Sequence, residues 1–135
     1  MVRVILGVVA GFIAWSIIWV GSDEVLKMAS AGWYGTHQLG LEKAITNRTE
    51  FAADSTILGI GIIRSIIASI LSGFLAAFVA NGNRNAPLIL SMVLLLVGIL
   101  VQSMMWNQLP IWFHLIFLAL IVPMTILGGR LKTSA

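Results

Sequence analysis

Residues 54–80, DSTILGIGIIRSIIASILSGFLAAFVA, constrain this chain more than any other stretch. The run is long enough to cross a hydrocarbon core about 30 Å thick. It contains Arg64, the one charge inside any apolar run, and one side of it is almost entirely Ser, Gly and Ala. A small-residue side lets neighbouring backbones come close, and a charge at helix centre has to face protein or water. The stretch predicts the central helix of a small bundle lying in a membrane. Composition agrees, with 59% hydrophobic and 10% charged residues in a chain of 135, where a soluble domain carries roughly 25% charged.

Three further apolar runs cover 4–20, 88–105 and 111–127. The expectation is one all-α domain, a four-helix transmembrane bundle with spans near 4–22, 55–80, 87–105 and 111–127. One polar outer loop, 23–54, joins the first two spans. The first run has the length of a leader peptide, but Gly7-xxx-Gly11 and Ala10-xxx-Ala14 place small residues four apart, as in a retained, packed helix. It can continue through Asp23, Glu24 and Lys27 toward Met28. Within the polar segment, Gly32, Gly35 and Gly40 argue against a single continuous helix, and Leu41 to Thr46 can form a short interfacial turn of helix. The second span has two candidate starts. Asn47 with Glu50 three residues on fits a capping box and begins it near Arg48; Asp54 or Ser55 begins it about two turns later. Asn81-Gly82-Asn83-Arg84-Asn85 is a turn, with Pro87 in the first turn of the next helix. Pro123 cannot donate to Ala119 in the last run, which stops at Gly128-Gly129.

Short-loop Lys and Arg set the orientation. One side collects Arg3, Arg84, Arg130 and Lys132, while Lys27, Lys43 and Arg48 on the other are diluted by all five acids, Asp23, Glu24, Glu42, Glu50 and Asp54. Both termini are therefore expected in the cytoplasm. The five tryptophans (Trp15, Trp19, Trp33, Trp106 and Trp112) fall at or near the opposite, outer ends. The sequence pI of about 10.0 does not imply a nucleic-acid partner, because the basic residues form no stripe. Without cysteine there is no disulfide, thiolate metal site or thiol nucleophile.

Arg64 leads the chemistry-bearing residues. An Arg at helix centre costs about 2.5–3.5 kcal/mol on the insertion scale and requires a partner. It lies about 15 Å along its helix from Asp54, and its guanidinium can snorkel outward. Gln102 and His114 occupy the same layer of their own helices, Ser16 lies near it, and Asp23 and Glu24 lie just above. These residues predict a polar cluster of Arg64, Gln102 and His114 closed by an acid, Asp23 or Glu24. One reading is an outward-facing pocket for an anionic or polar small molecule; the other is an internal salt bridge that sets helix register. The small side of the second span (Ser65, Ser69, Ser72, Gly73, Ala76, Ala77, Ala80) is expected to pack on Gly7 and Gly11, with a homodimer seam as the alternative. No metal-ligand spacing, cofactor motif, Ser–His pair or intramembrane acid pair points to catalysis.

The C-terminal pattern LPIWFHLIFLALIVPMTILGGRL, preceded by GFLAAFVA, resembles a group of small bacterial four-helix membrane proteins of unknown function. They are similar in a polar outer segment after the first helix, a Gly/Ala-rich second helix, and a Pro-x-Trp-Phe start to a last helix ending in Gly-Gly. The resemblance implies a bacterial inner-membrane protein and no particular activity. The small multidrug exporters match in length and helix count, but rely on an acid inside the first helix, which this chain lacks before Asp23. The expected function is a binding or accessory protein built around Arg64; the alternative is a homo-oligomeric transporter or channel. Expected partners are the lipid bilayer, a small-molecule ligand, and a second copy or larger membrane complex, with no cofactor or metal.

Overall fold

The structure, a computed structural model, describes residues 2–47, 54–104, 106 and 109–134, the last three by backbone alone. It is all-α. Helix α1 runs Val2–Ala29, a π-helical turn follows at Ala31–Gly35, and α2 runs Thr36–Asn47. Helices α3 (Ser55–Val79), α4 (Asn85–Met104) and α5 (Ile111–Ser134) complete the chain. Four of these, α1, α3, α4 and α5, are long and apolar enough to cross a membrane. Their outer surface is made of large hydrophobics, such as Ile5, Leu6, Val9, Ile13 and Ile17 on α1 and Leu96 and Leu100 on α4. Small polar residues, among them Ser65, Ser69, Ser72 and Ser91, are inside. That inversion suits a chain whose surrounding solvent is hydrocarbon.

Helix α1 extends beyond the expected 4–22 span by almost two turns at its C-terminal end. Lys27 stabilises them, meeting Asp23 at 3.1 Å and Glu24 at 3.5 Å across i,i+4 and i,i+3 spacings. The polar segment is mostly helical rather than a loop, because Leu41, Ala44 and Ile45 share one face and pack into the core. This burial offsets the roughly 1 kcal/mol cost of Gly40 inside α2. Lys27 also reaches Glu42 at 3.5 Å, tying α2 to α1.

Of the two candidate starts for α3, Asp54 is its cap. The Asp54 backbone is extended, and its Oδ1 accepts from the amides of Thr56 (2.8 Å) and Ile57 (3.3 Å). Arg48 and Glu50 of the alternative start lie outside the described residues. At the other end the Gly82 amide donates to Ala77 O (2.7 Å) and the Asn81 amide to Phe78 O (3.2 Å), a Schellman closure. Its left-handed residue is Asn81, at φ 59°, a position that Asn tolerates.

Helix α3 is the axis, packing against α1 on one side and α5 on the other, while α4 closes the ring between α5 and α1. Gly7 and Gly11 make the α1 contact as expected. A Cβ on Gly7 would lie 2.5 Å from Ala76 O and 3.3 Å from the Ala80 methyl, and one on Gly11 would lie 2.9 Å from Ser72 O. Gly73 belongs to a different seam, since its added Cβ would strike the Thr125 backbone of α5. Gly128 completes this seam against the Ile70 backbone, and Gly129 packs on the Pro87 ring. Hence α5 does not stop at Gly128-Gly129; the two glycines lie inside the helix, where lack of a side chain brings the backbones together. The small side of α3 is thus consumed within the chain. Ser65 is buried in it, and its Oγ has no hydrogen-bond partner among the described residues.

Gly128→Ala should destabilise the bundle by about 2–3 kcal/mol, as overpacking against backbone does. Gly21→Ala, at a site with nothing within 4 Å, should be neutral or stabilising by up to about 1 kcal/mol. Reversible unfolding by SDS in mixed micelles compares the two. The Trp33 indole and the α3 amides hold the Asp54 carboxyl below its ordinary range. Its stabilising contribution is therefore complete above about pH 4 and is lost as pH falls through the lowered value. Asp54→Ala should lower the unfolding midpoint at pH 7, Asp54→Asn should lower it less, and parent and Ala variant should converge in acid.

Candidate binding cavity

Arg64 descends from α3 toward the last turns of α1, where Trp19, Ser22 and Asp23 lie on one face. Its Nε donates to Ser22 Oγ (2.7 Å), one Nη to Tyr34 Oη (2.7 Å) and the other Nη to the Trp19 carbonyl (2.5 Å). Asp23 Oδ1 stands 3.8 Å from the guanidinium, an ion pair without a close hydrogen bond. The guanidinium carbon also sits 4.3 Å from the centre of the Trp19 ring, at cation–π distance. Arg64 is 9% exposed and Tyr34 1%. Three of the five guanidinium N–H groups thus have neutral oxygen partners.

Asp23 is held from several directions. Its Oδ1 accepts from Tyr34 Oη (2.7 Å) and Gln38 Nε2 (3.0 Å), and its Oδ2 faces Lys27. Gln38 Oε1 pairs with His37 Nδ1 (2.9 Å), and His37 Nε2 accepts from the Asp54 amide (3.0 Å). That second bond makes Nε2 the bare nitrogen and Nδ1 the donor. A continuous hydrogen-bonded chain therefore runs from the cap of α3 through α2 to Arg64. Burial and the bond to Asp23 raise the Tyr34 phenol above its ordinary range, so it stays a proton donor at neutral pH.

Gln102 and His114 form a separate pair. His114 Nδ1 meets Gln102 Oε1, and Nε2 lies 3.3 Å from the Trp106 carbonyl. The His114 ring stacks on Trp106 with centroids 4.6 Å apart. Both ring nitrogens are thereby occupied. Glu24 is exposed and turned toward Lys27, away from Arg64. The predicted cluster is thus divided: Asp23 joins Arg64, Gln102 joins His114, and Glu24 joins neither. Ser16 bonds back to Phe12 O at 2.9 Å. Sequence reasoning missed Tyr34, Ser22 and the Trp19 carbonyl. The i, i+3, i+4 spacing of Trp19, Ser22 and Asp23 was legible as one face; nothing local placed the single tyrosine against it.

A cavity of about 340 Å³ lies between the two polar groups. Asp23, Tyr34, Gln38 and Arg64 line its polar end, and Gln102 is on the α4 side. Trp15 and Trp19, stacked at 5.4 Å, and Phe117, edge-on to both, line the apolar part. No family model, curated protein or solved structure matches this chain.

Tyr34→Phe removes Arg64's acceptor and Asp23's donor together, and should cost about 1–3 kcal/mol. The folded state holds the phenolic proton more tightly than the unfolded chain, so this contribution is complete below about pH 10 and declines above it. The difference between parent and variant in detergent unfolding should shrink on that alkaline side.

Proposed function

We propose that this protein is a small-molecule-binding membrane protein whose ligand occupies the Arg64 cavity. The carrying observation is a buried guanidinium, incompletely matched in charge, beside an aromatic-lined space of small-molecule size. Such sites combine an apolar wall with a few convergent polar groups in about 300–1,000 Å³. A purely structural ion pair would need close, saturated contacts to offset desolvation. Here the carboxylate is spent on Tyr34, Gln38 and Lys27 and stays 3.8 Å from Arg64.

The other half of the bundle supports binding over the alternative of a homo-oligomeric transporter or channel. There, Gly7, Gly11, Gly73 and Gly128 bring backbones together, and among the described residues the lining of the Arg64 cavity stops at Phe12 on α1 and Phe117 on α5. The same use of small residues argues against their serving as a homodimer seam. The charge distribution, with Arg3, Arg84, Arg130 and Lys132 at one end and the acids at the other, favours cytoplasmic termini and an outward-facing cavity. Resemblance to small bacterial four-helix proteins makes the inner membrane the corresponding location, with a larger membrane complex as a further partner.

The test compares the parent with Arg64→Gln and Arg64→Leu in dodecyl maltoside. Both variants should accumulate, with Arg64→Leu less stable by about 1–3 kcal/mol. A small-molecule extract of the expression host's membranes should raise the parent's melting temperature and leave both variants unmoved. Variants that melt like the parent, with no shift of the parent by the extract, would sink the proposal.

A further inference from the structure

The walls of the cavity are unequal, and the inequality marks its opening. Every lining residue contributed by α3 (Ile57, Leu58, Gly61, Arg64) and α5 (Phe113, Phe117) is buried. Tyr34 and Leu41 are buried above them. Among the described lining residues the most exposed are Val20 on α1, at 58%, and Val101 on α4, at 44%, and of the half-buried ones all but Gln38 also lie on α1 or α4. The two valines sit on the two helices that close the ring, both near the end where Arg64, Asp23 and Tyr34 cluster. The opening is therefore lateral and flanked by valines. A lateral opening in a spanning bundle faces lipid, at the depth where an amphiphile's head meets its chain.

We propose that the ligand is a single-chain amphiphile with an anionic head, which reaches the cavity sideways from the bilayer between α1 and α4. This rests on the reading of the cavity as a binding site. The head meets Arg64, two of whose five N–H groups remain after the bonds to Ser22, Tyr34 and Trp19. The chain lies along Trp15, Trp19 and Phe117. A chain leaving hydrocarbon for an apolar cavity gains little, because lipid tails are as apolar as the wall. Selection must come from the head, and an anion facing a partly desolvated guanidinium supplies it. Val20 and Val101 present no polar group that would oppose passage of the chain.

The test uses a Trp33→Phe/Trp106→Phe/Trp112→Phe background in dodecyl maltoside, so that only the cavity residues Trp15 and Trp19 fluoresce. Bromine quenches indole on contact. ω-Bromoundecanoate should quench saturably and about tenfold or more tightly than ω-bromoundecanol. Arg64→Gln should erase that preference. Val20→Phe/Val101→Phe, with melting unchanged, should slow the onset of quenching in stopped flow. Equal quenching by acid and alcohol in the parent overturns the anionic head, as does tighter quenching by the ω-bromoundecyl trimethylammonium cation. Displacement of the bromo acid by butanoate at similar concentration overturns the amphiphile in favour of a soluble anion. An unchanged onset in the double-Phe variant overturns the lateral route. Absence of saturable quenching by every probe overturns the whole inference, while the Arg64-dependent melting shift decides separately whether the cavity binds anything.

Discussion

Arg64 imposes the requirement that the upper half of the bundle satisfies. A guanidinium at helix centre needs oxygens, and the serines of α3 supply none of its bonds. The oxygens come from α1, through the Trp19 carbonyl, Ser22 and Asp23, and from the turn after it, through Tyr34. This explains why α1 continues two turns past the length needed to cross a bilayer. It also explains why the chain folds back in a π-helical turn rather than leaving for solvent. Tyr34 can reach Arg64 only if Ala31–Gly35 curls over the end of α1, and α2 then returns over the cavity with Leu41 inward. The hydrogen-bonded chain from Asp54 through His37 and Gln38 to Asp23 joins the start of α3 to the same centre.

The other half of the bundle obeys a different constraint. With hydrocarbon outside, burial of large side chains supplies no strong driving force between helices, and close backbone approach takes its place. Two seams on α3 use it. Gly7 and Gly11 admit Ala76 and Ser72, and Gly73 and Gly128 bring α3 and α5 backbone to backbone. Helices drawn together so tightly at one end, and held apart by Trp15, Trp19, Phe113 and Phe117 toward the other, leave the Arg64 cavity where the aromatics are. The position of the cavity thus follows from where the chain carries glycine and where it carries tryptophan.

The two polar groups in the cavity wall differ in kind. Gln102 is 2% exposed, and its amide oxygen is already engaged by His114. Arg64 with Asp23 holds opposite charges at 3.8 Å, far enough apart for the guanidinium to retain hydrogen-bonding capacity. An arrangement of this kind favours a ligand with one charged end over one that is polar throughout, which is the basis of the proposed amphiphile.

Much of the architecture was legible in the residues. Apolar run lengths determined four spanning helices, Gly7 and Gly11 marked one contact, and the cost of a buried guanidinium singled out Arg64, all because length, side-chain size and charge are local properties. Where the sequence offered two starts for α3, the amide-accepting Asp54 oxygen decided between them. Partnership was not legible. That Arg64 takes Tyr34 across 30 positions while Gln102 takes His114, and that Gly128 sits within a helix instead of ending one, depend on which surfaces meet. Helix ends and ion pairs are settled by the groups that arrive from elsewhere in the chain, and only the tertiary structure brings those groups together.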